Sequence, residues 1–193
     1  MKNYKLILLQ IALFSATIFI TFSCMNKEVK DTKEVAVESN VAKFNKNSNE
    51  KDAQFLVNAA EINIEEISLG KLAQQKGTTS HVKELGKMME DQHTKSMNEL
   101  VALAKLKNIT LPTSQTESGQ DAYLKLSTKS GIDFDKQYAD MMVTGHKDAI
   151  ALFEKASDDS ADPAIKAMAT NIIPALKTHL DYAVMCQKEC EKL

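Results

Sequence analysis

Four titratable residues, Glu66, His93, His146 and His179, each interrupt an otherwise apolar helical stripe near its midpoint. Each would point a titratable side chain into a helical core, where an unpaired charge costs several kcal/mol. A helix midpoint keeps its level whichever way the helix runs, so four such residues on four packed helices can meet in one layer. Three neutral imidazoles and one carboxylate form an N3O donor set with a net ligand charge of minus one. Such a set suits one transition-metal ion (Zn2+, Fe2+, Mn2+ or Cu2+) better than Ca2+ or Mg2+, which prefer oxygen. The rival reading is a metal-free, hydrogen-bonded Glu and His network with one imidazole protonated by the carboxylate. A lone histidine on an apolar face is most often a core residue bonded to a carbonyl or hydroxyl. It is the coincidence of four, level and facing inward, that argues for a shared site.

Nearby residues are weaker candidates. Glu90 and His93 form a Glu-x-x-His pair of the kind di-iron bundles use, yet Glu90 points about 60° away from His93 around the helix axis. A supporting contact or solvent is its expected place, and Tyr138 is a second candidate for a supporting contact. His81 falls in a first helical turn and reads as a solvated end residue.

Four long amphipathic helices must position the set. The first runs from about Asp52 to Lys76, with Phe55, Ala59, Ile62, Leu69 and Ala73 at helical spacing around Glu66. Gly77 is expected to end it in the left-handed conformation, with Thr78, Thr79 and Ser80 as possible N-caps for the second helix. That helix carries Val82, Leu85, Met89, Met97, Leu100 and Ala104 on the face of His93 and ends near Lys107 and Asn108. A connection of roughly 25 residues follows, long for a bundle, with a short helix expected over Gln120 to Lys129. It is long enough to cross the bundle end to end, so helices two and three are expected to run parallel. The third helix, Ile132 to Ser157, has a stripe of Phe134, Tyr138, Met142, Ala149 and Phe153, with His146 toward one edge. Asp162 and Pro163 are an N-cap followed by proline at the first helical position. The fourth helix carries Ile165, Ala169, Ile172, Leu176, Leu180 and Ala183 with His179 on the same face, and Pro174 is expected to kink it without breaking it. No stretch alternates with period two for long enough to argue a strand. The fold class is therefore all-α, a four-helix bundle over residues 52–193.

The 193-residue chain begins with two lysines and the uncharged run Leu6 to Phe22, followed by Ser23 and Cys24. These are the regions of a bacterial lipoprotein signal over residues 1–23, with Cys24 as the lipidated residue; an uncleaved anchor is the alternative. Residues 24–51, rich in Lys, Glu, Asp, Asn and Ser, are expected to be a flexible tether. Both readings export the domain and hold it at a membrane of the cell envelope. A formal net charge of -2 implies no nucleic-acid partner. There is no Walker loop, GxGxxG or GxSxG, so the familiar nucleotide and hydrolase motifs are absent. Cys186 and Cys190 sit one turn apart, open to a local disulfide, free thiols or a soft-metal site.

The segments beginning at Glu66, Met89 to Thr94, Phe134 to Tyr138 followed by His146, and Ile173 to Leu180 resemble a widespread bacterial family. It is a ferritin-like domain of unknown function in exported proteins often labelled outer-membrane or periplasmic. The resemblance covers roughly Asp52 to Val184 and implies a ferritin-like bundle in the envelope, with Glu66, His93, His146 and His179 as its marked positions. It implies no activity. Comparison with true ferritins points away from ferroxidase chemistry, because Val143 and Leu176 stand where a carboxylate would precede His146 and His179 by three residues.

Overall fold

Most of the long helices begin or end where the sequence carries a cap or a breaker. The computed structural model describes residues 30–44 and 48–193. Within them lie α1 (Thr32–Phe44), α2 (Ser48–Lys76), α3 (Ser80–Leu106), α4 (Glu117–Ser127), α5 (Gly131–Asp159) and α6 (Pro163–Glu191). No strand occurs among the described residues. The Thr79 side chain accepts from Val82 N at the start of α3, and Asp162 accepts from Ala164 N and Ile165 N ahead of Pro163 at the start of α6. Asn108, with φ of 56°, turns the chain out of α3. The α6 helix continues through Pro174.

The four long helices pack α2 on α3, α5 on α6, α3 on α6 and α2 on α5. Residues 77–79 join α2 and α3, which makes the two antiparallel. The closest approach in this pair is glycine on glycine: a Cβ on Gly70 would stand 2.6 Å from Gly86 O, and one on Gly86 2.7 Å from Gly70 O. Asp135, fully buried near the start of α5, accepts from Thr78 N and Thr79 N at 2.8 and 2.7 Å. The starts of α3 and α5 are therefore at the same end, and the two helices run parallel. The connection between them must return along the whole length, and it carries α4 on the way.

The apolar interior falls into two clusters. One joins Leu69, Leu85, Met89, Phe134, Met142 and Cys186; the other joins Leu56, Ala59, Leu100, Phe153, Ala169 and Leu176. In every long helix the division falls at the same place, around residues 63–66, 93, 146 and 179. A polar layer separates the two halves of the core.

Three expectations differ from this structure. Much of the segment expected to be a flexible tether, residues 24–51, is ordered: α1 packs on α2, and α2 already begins at Ser48. Asn40 explains the docking of α1, because its amide donates to Thr110 O and accepts from Thr110 N, both at 2.8 Å, as a backbone strand would. Only Ala36 and Asn40 of α1 are buried, too few to leave a readable stripe. Gly77 does not adopt a positive φ; it is small because a Cβ there would meet Ala73 O at 2.6 Å and Val82 Cγ1 at 2.9 Å. The short helix in the connection begins at Glu117, capped by Thr116, and not at Gln120. The signal segment 1–23 and Cys24 lie outside the described residues, and no described helix is long and apolar enough to cross a membrane.

Candidate metal centre

Glu66 of α2, His93 of α3, His146 of α5 and His179 of α6 all lie in the polar layer, with exposures of 6, 3, 1 and 2 %. The three rings cluster with centroids 5.7 Å (His93 and His146), 5.3 Å (His93 and His179) and 5.2 Å (His146 and His179) apart. Each offers one ring nitrogen, and the three nitrogens lie within 4.8 Å of one another. The three histidines can hold a metal ion.

The tautomers follow from the hydrogen-bond partners. His146 Nδ1 lies 2.9 Å from Met142 O, one turn earlier in α5; a carbonyl only accepts, so Nδ1 carries the proton and Nε2 a lone pair. Asn63 Nδ2 donates to Ala59 O at 2.9 Å, which turns Asn63 Oδ1 toward His93 Nδ1, also at 2.9 Å. His93 is thus protonated at Nδ1, and its Nε2 is a buried lone pair with no hydrogen-bond partner. His179 Nε2 lies 2.8 Å from Gln92 Oε1, and with that oxygen accepting, His179 Nδ1 presents a lone pair as well. It faces His146 Nε2 across 3.2 Å. Two lone pairs at that distance repel unless a proton or a cation lies against both. Nitrogens held at about 2.0–2.1 Å and the tetrahedral angle around one metal would be about 3.3 Å apart, so the His146 and His179 pair has the spacing of two ligands to a shared ion.

Burial sets the protonation. It depresses His93 well below the usual imidazole range, with the neighbouring His146 and His179 adding to the shift; it lowers His146; and it brings His179 down to about 4, again with His146 contributing. All three rings are neutral at pH 7, the form that binds metal. Burial also pushes Glu66 up to about 8, and the adjacent Glu65 adds to it.

Glu66 reaches the layer but not the face where the three nitrogens meet. Its Oε1 is 3.9 Å from His146 Nδ1, the nitrogen already committed to Met142, and its Oε2 is buried with no hydrogen-bond partner. The group brought together as donors is therefore three histidines, with the carboxylate beside it. Glu90 is elsewhere: half-buried at the α2 and α3 seam, it accepts from Gln74 Nε2 at 2.7 Å and lies 3.7 Å from Lys71 Nζ. Tyr138 is fully buried and its hydroxyl has no hydrogen-bond partner. The residues that do orient the rings, Asn63 and Gln92, were not expected. Asn63 had a readable signal, since it stands four residues after Ala59 and three before Glu66 on the inward face of α2. Cys186 and Cys190 are free and buried in the apolar cluster that also holds Tyr138. Burial raises both thiols, Cys186 to about 12.

A family model described as a domain of unknown function, DUF4142, matches residues 37–185, from within α1 to the last turns of α6. The chain belongs to the DUF4142 family. No curated protein matches this DUF4142 chain. Among solved structures, the DUF4142 chain is similar to a crystal structure of a DUF305 fragment from Deinococcus radiodurans, with a TM-score of 0.62 and 14% identity over 74% of this chain and 96% of that one. At that identity the likeness speaks for the fold alone.

Proposed function

We propose that this DUF4142 chain is a lipid-anchored protein of the cell envelope whose ferritin-like four-helix bundle holds one transition-metal ion between His93, His146 and His179, in metal handling or a redox stress role. The observation that carries the reading is the buried, unpartnered lone pair of His93 Nε2, set beside two further imidazole nitrogens. Zn2+, Fe2+, Mn2+ and Cu2+ all accept such donors, and a bound ion would supply Lewis acidity or, for iron, manganese or copper, electron transfer. The chain's own residues keep the rings neutral by burial and hold two of them by their outer nitrogens, through Asn63 and Gln92. Glu66 is close enough to act as counter-charge once ionised. The lipid anchor at Cys24 rests on the sequence alone.

The competing reading is a metal-free structural or interaction module. Turning the Gln92 amide lets it donate to His179 Nε2, so that His179 Nδ1–H donates to His146 Nε2 and the repulsion disappears. That arrangement still leaves His93 Nε2 without a partner, which is why the metal reading is preferred. Elemental analysis of the full chain, purified without a histidine tag from metal-replete cells, decides between them. About one equivalent of metal, lost in the His93→Ala and His179→Ala double variant, is expected; a clean protein with none supports the metal-free module.

A further inference from the structure

A cleft of about 360 Å³ runs between α3 and α6, and its floor includes His93 and His179. Its walls are mainly apolar, formed by Ile62, Phe153, Met168, Ile172 and Leu176. Lys95 and Glu99 are exposed and bring opposite charges to the lining, so the cleft offers no field that would select a strongly charged molecule. A volume of this order belongs to small-molecule sites, in which apolar walls supply binding energy and a few polar groups fix orientation. Asn63, at the floor, is already committed to Ala59 O and His93, so an apolar occupant leaves it satisfied.

Three protein nitrogens do not complete a metal's coordination, since even four-coordinate ions need one more donor. We propose that this cleft admits a small, weakly charged organic molecule with an apolar body and one nitrogen or oxygen donor head, the head supplying the missing ligand and the body lying along the α3 and α6 walls. The inference rests on the metal reading of the same histidines, and it makes the centre one that exchanges ligands. A purely structural ion would have no use for a largely apolar cleft against two of the residues that hold it.

The test uses the full chain loaded with Co2+, whose visible absorption reports both occupancy and any change of ligand, titrated in parallel with imidazole and with phenylimidazole. The two probes share a donor head and differ by an apolar body. Both are expected to alter the cobalt bands, with phenylimidazole binding about tenfold tighter or more because its ring is removed from water. Ala175→Phe, which fills the cleft from α6, is expected to bring the two affinities together. If no cobalt bands appear before an azole is added, the metal reading fails and this inference falls with it. Cobalt bands that ignore both azoles, or that respond equally to both in the unaltered chain, overturn the inference and leave the metal reading standing. A preference that survives Ala175→Phe also overturns it.

Discussion

Asn63 Oδ1 accepts a hydrogen bond from His93 Nδ1 at 2.9 Å, and the Asn63 amide is held in that sense by its donation to Ala59 O. A backbone carbonyl of α2 thus decides, through one side chain, which nitrogen of a histidine on α3 carries the proton. The nitrogen left bare, Nε2, is buried without a hydrogen-bond partner.

Asn63→Ala removes this control while leaving every candidate ligand in place. His93 is then free to exchange tautomers and to rotate. Metal affinity is expected to fall about 10–100-fold, the range seen when an outer partner of a ligating histidine is lost. Asn63→Asp, which keeps the acceptor, is expected to restore most of it. Competition against a chromophoric chelator measures both. An Asn63→Ala protein that binds as tightly as the parent would mean that this hydrogen bond serves packing only.

The pH dependence of the metal-free protein isolates Glu66. Its folded value, about 8, lies above the ordinary 4.5, so between those limits the folded state keeps a proton that the unfolded chain has lost. Stability contributed in this way is complete below pH 4.5 and is lost as pH rises through 8. His179 works in the opposite direction: its value is depressed from 6.5 to about 4, so its contribution is present above pH 6.5 and lost below it. His93 and His146, lowered as well, act in the same sense as His179, so the three histidines oppose the carboxyl chiefly below pH 6.5 and their opposition fades above it. Glu66 is therefore expected to take at most about 2 kcal/mol from the chelator-treated protein between pH 6.5 and 8, partly offset by the histidines. Glu66→Gln should abolish that loss in urea melts at the two pH values, and an equal loss in the variant would remove Glu66 as its source.

Tyr138 has a buried hydroxyl with no partner, the kind of group whose removal restores free energy and does not cost it. Tyr138→Phe is expected to stabilise the chain by about 1 kcal/mol and to leave metal affinity within a factor of two. A loss of stability instead would reveal that the hydroxyl bonds to a group at the centre, such as a water or the ion's own ligand.

The polar layer was legible because burial and helical period act on every residue alike. A histidine at the centre of an apolar stripe must point inward, and midpoints of long packed helices must coincide, so Glu66, His93, His146 and His179 arrive at one level. Side-chain reach is not legible in the same way. Glu66 sits at the right height and faces inward, yet its carboxylate stops at the far nitrogen of His146, a matter of rotamer and of Gly145, whose absent Cβ would stand 3.2 Å from Glu66 Oε1. Docking of α1 was hidden for another reason. It depends on Asn40 reading the backbone of Thr110, 70 residues away, and no local pattern encodes a bond of that kind.

Gly70 and Gly86 carried a signal that the apolar pattern hides. Glycine inside a helix costs about 1 kcal/mol relative to alanine, and here two of them, on neighbouring helices, sit one and two turns from the centre. The structure supplies the reason, since each lies under the other's carbonyl at a distance no Cβ tolerates. The obstacle is backbone and cannot swing aside, so Gly86→Ala must push α2 and α3 apart. The expected cost is about 2–3 kcal/mol, at the upper end for overpacking. The same displacement separates Asn63 from His93, so metal affinity should fall together with stability, although neither glycine touches a donor. Calorimetry and chelator competition on Gly86→Ala and Gly86→Ser would show this pairing. A variant with lowered stability and full affinity would show that the seam can open without disturbing the histidines, and the close glycine contact would then serve packing alone.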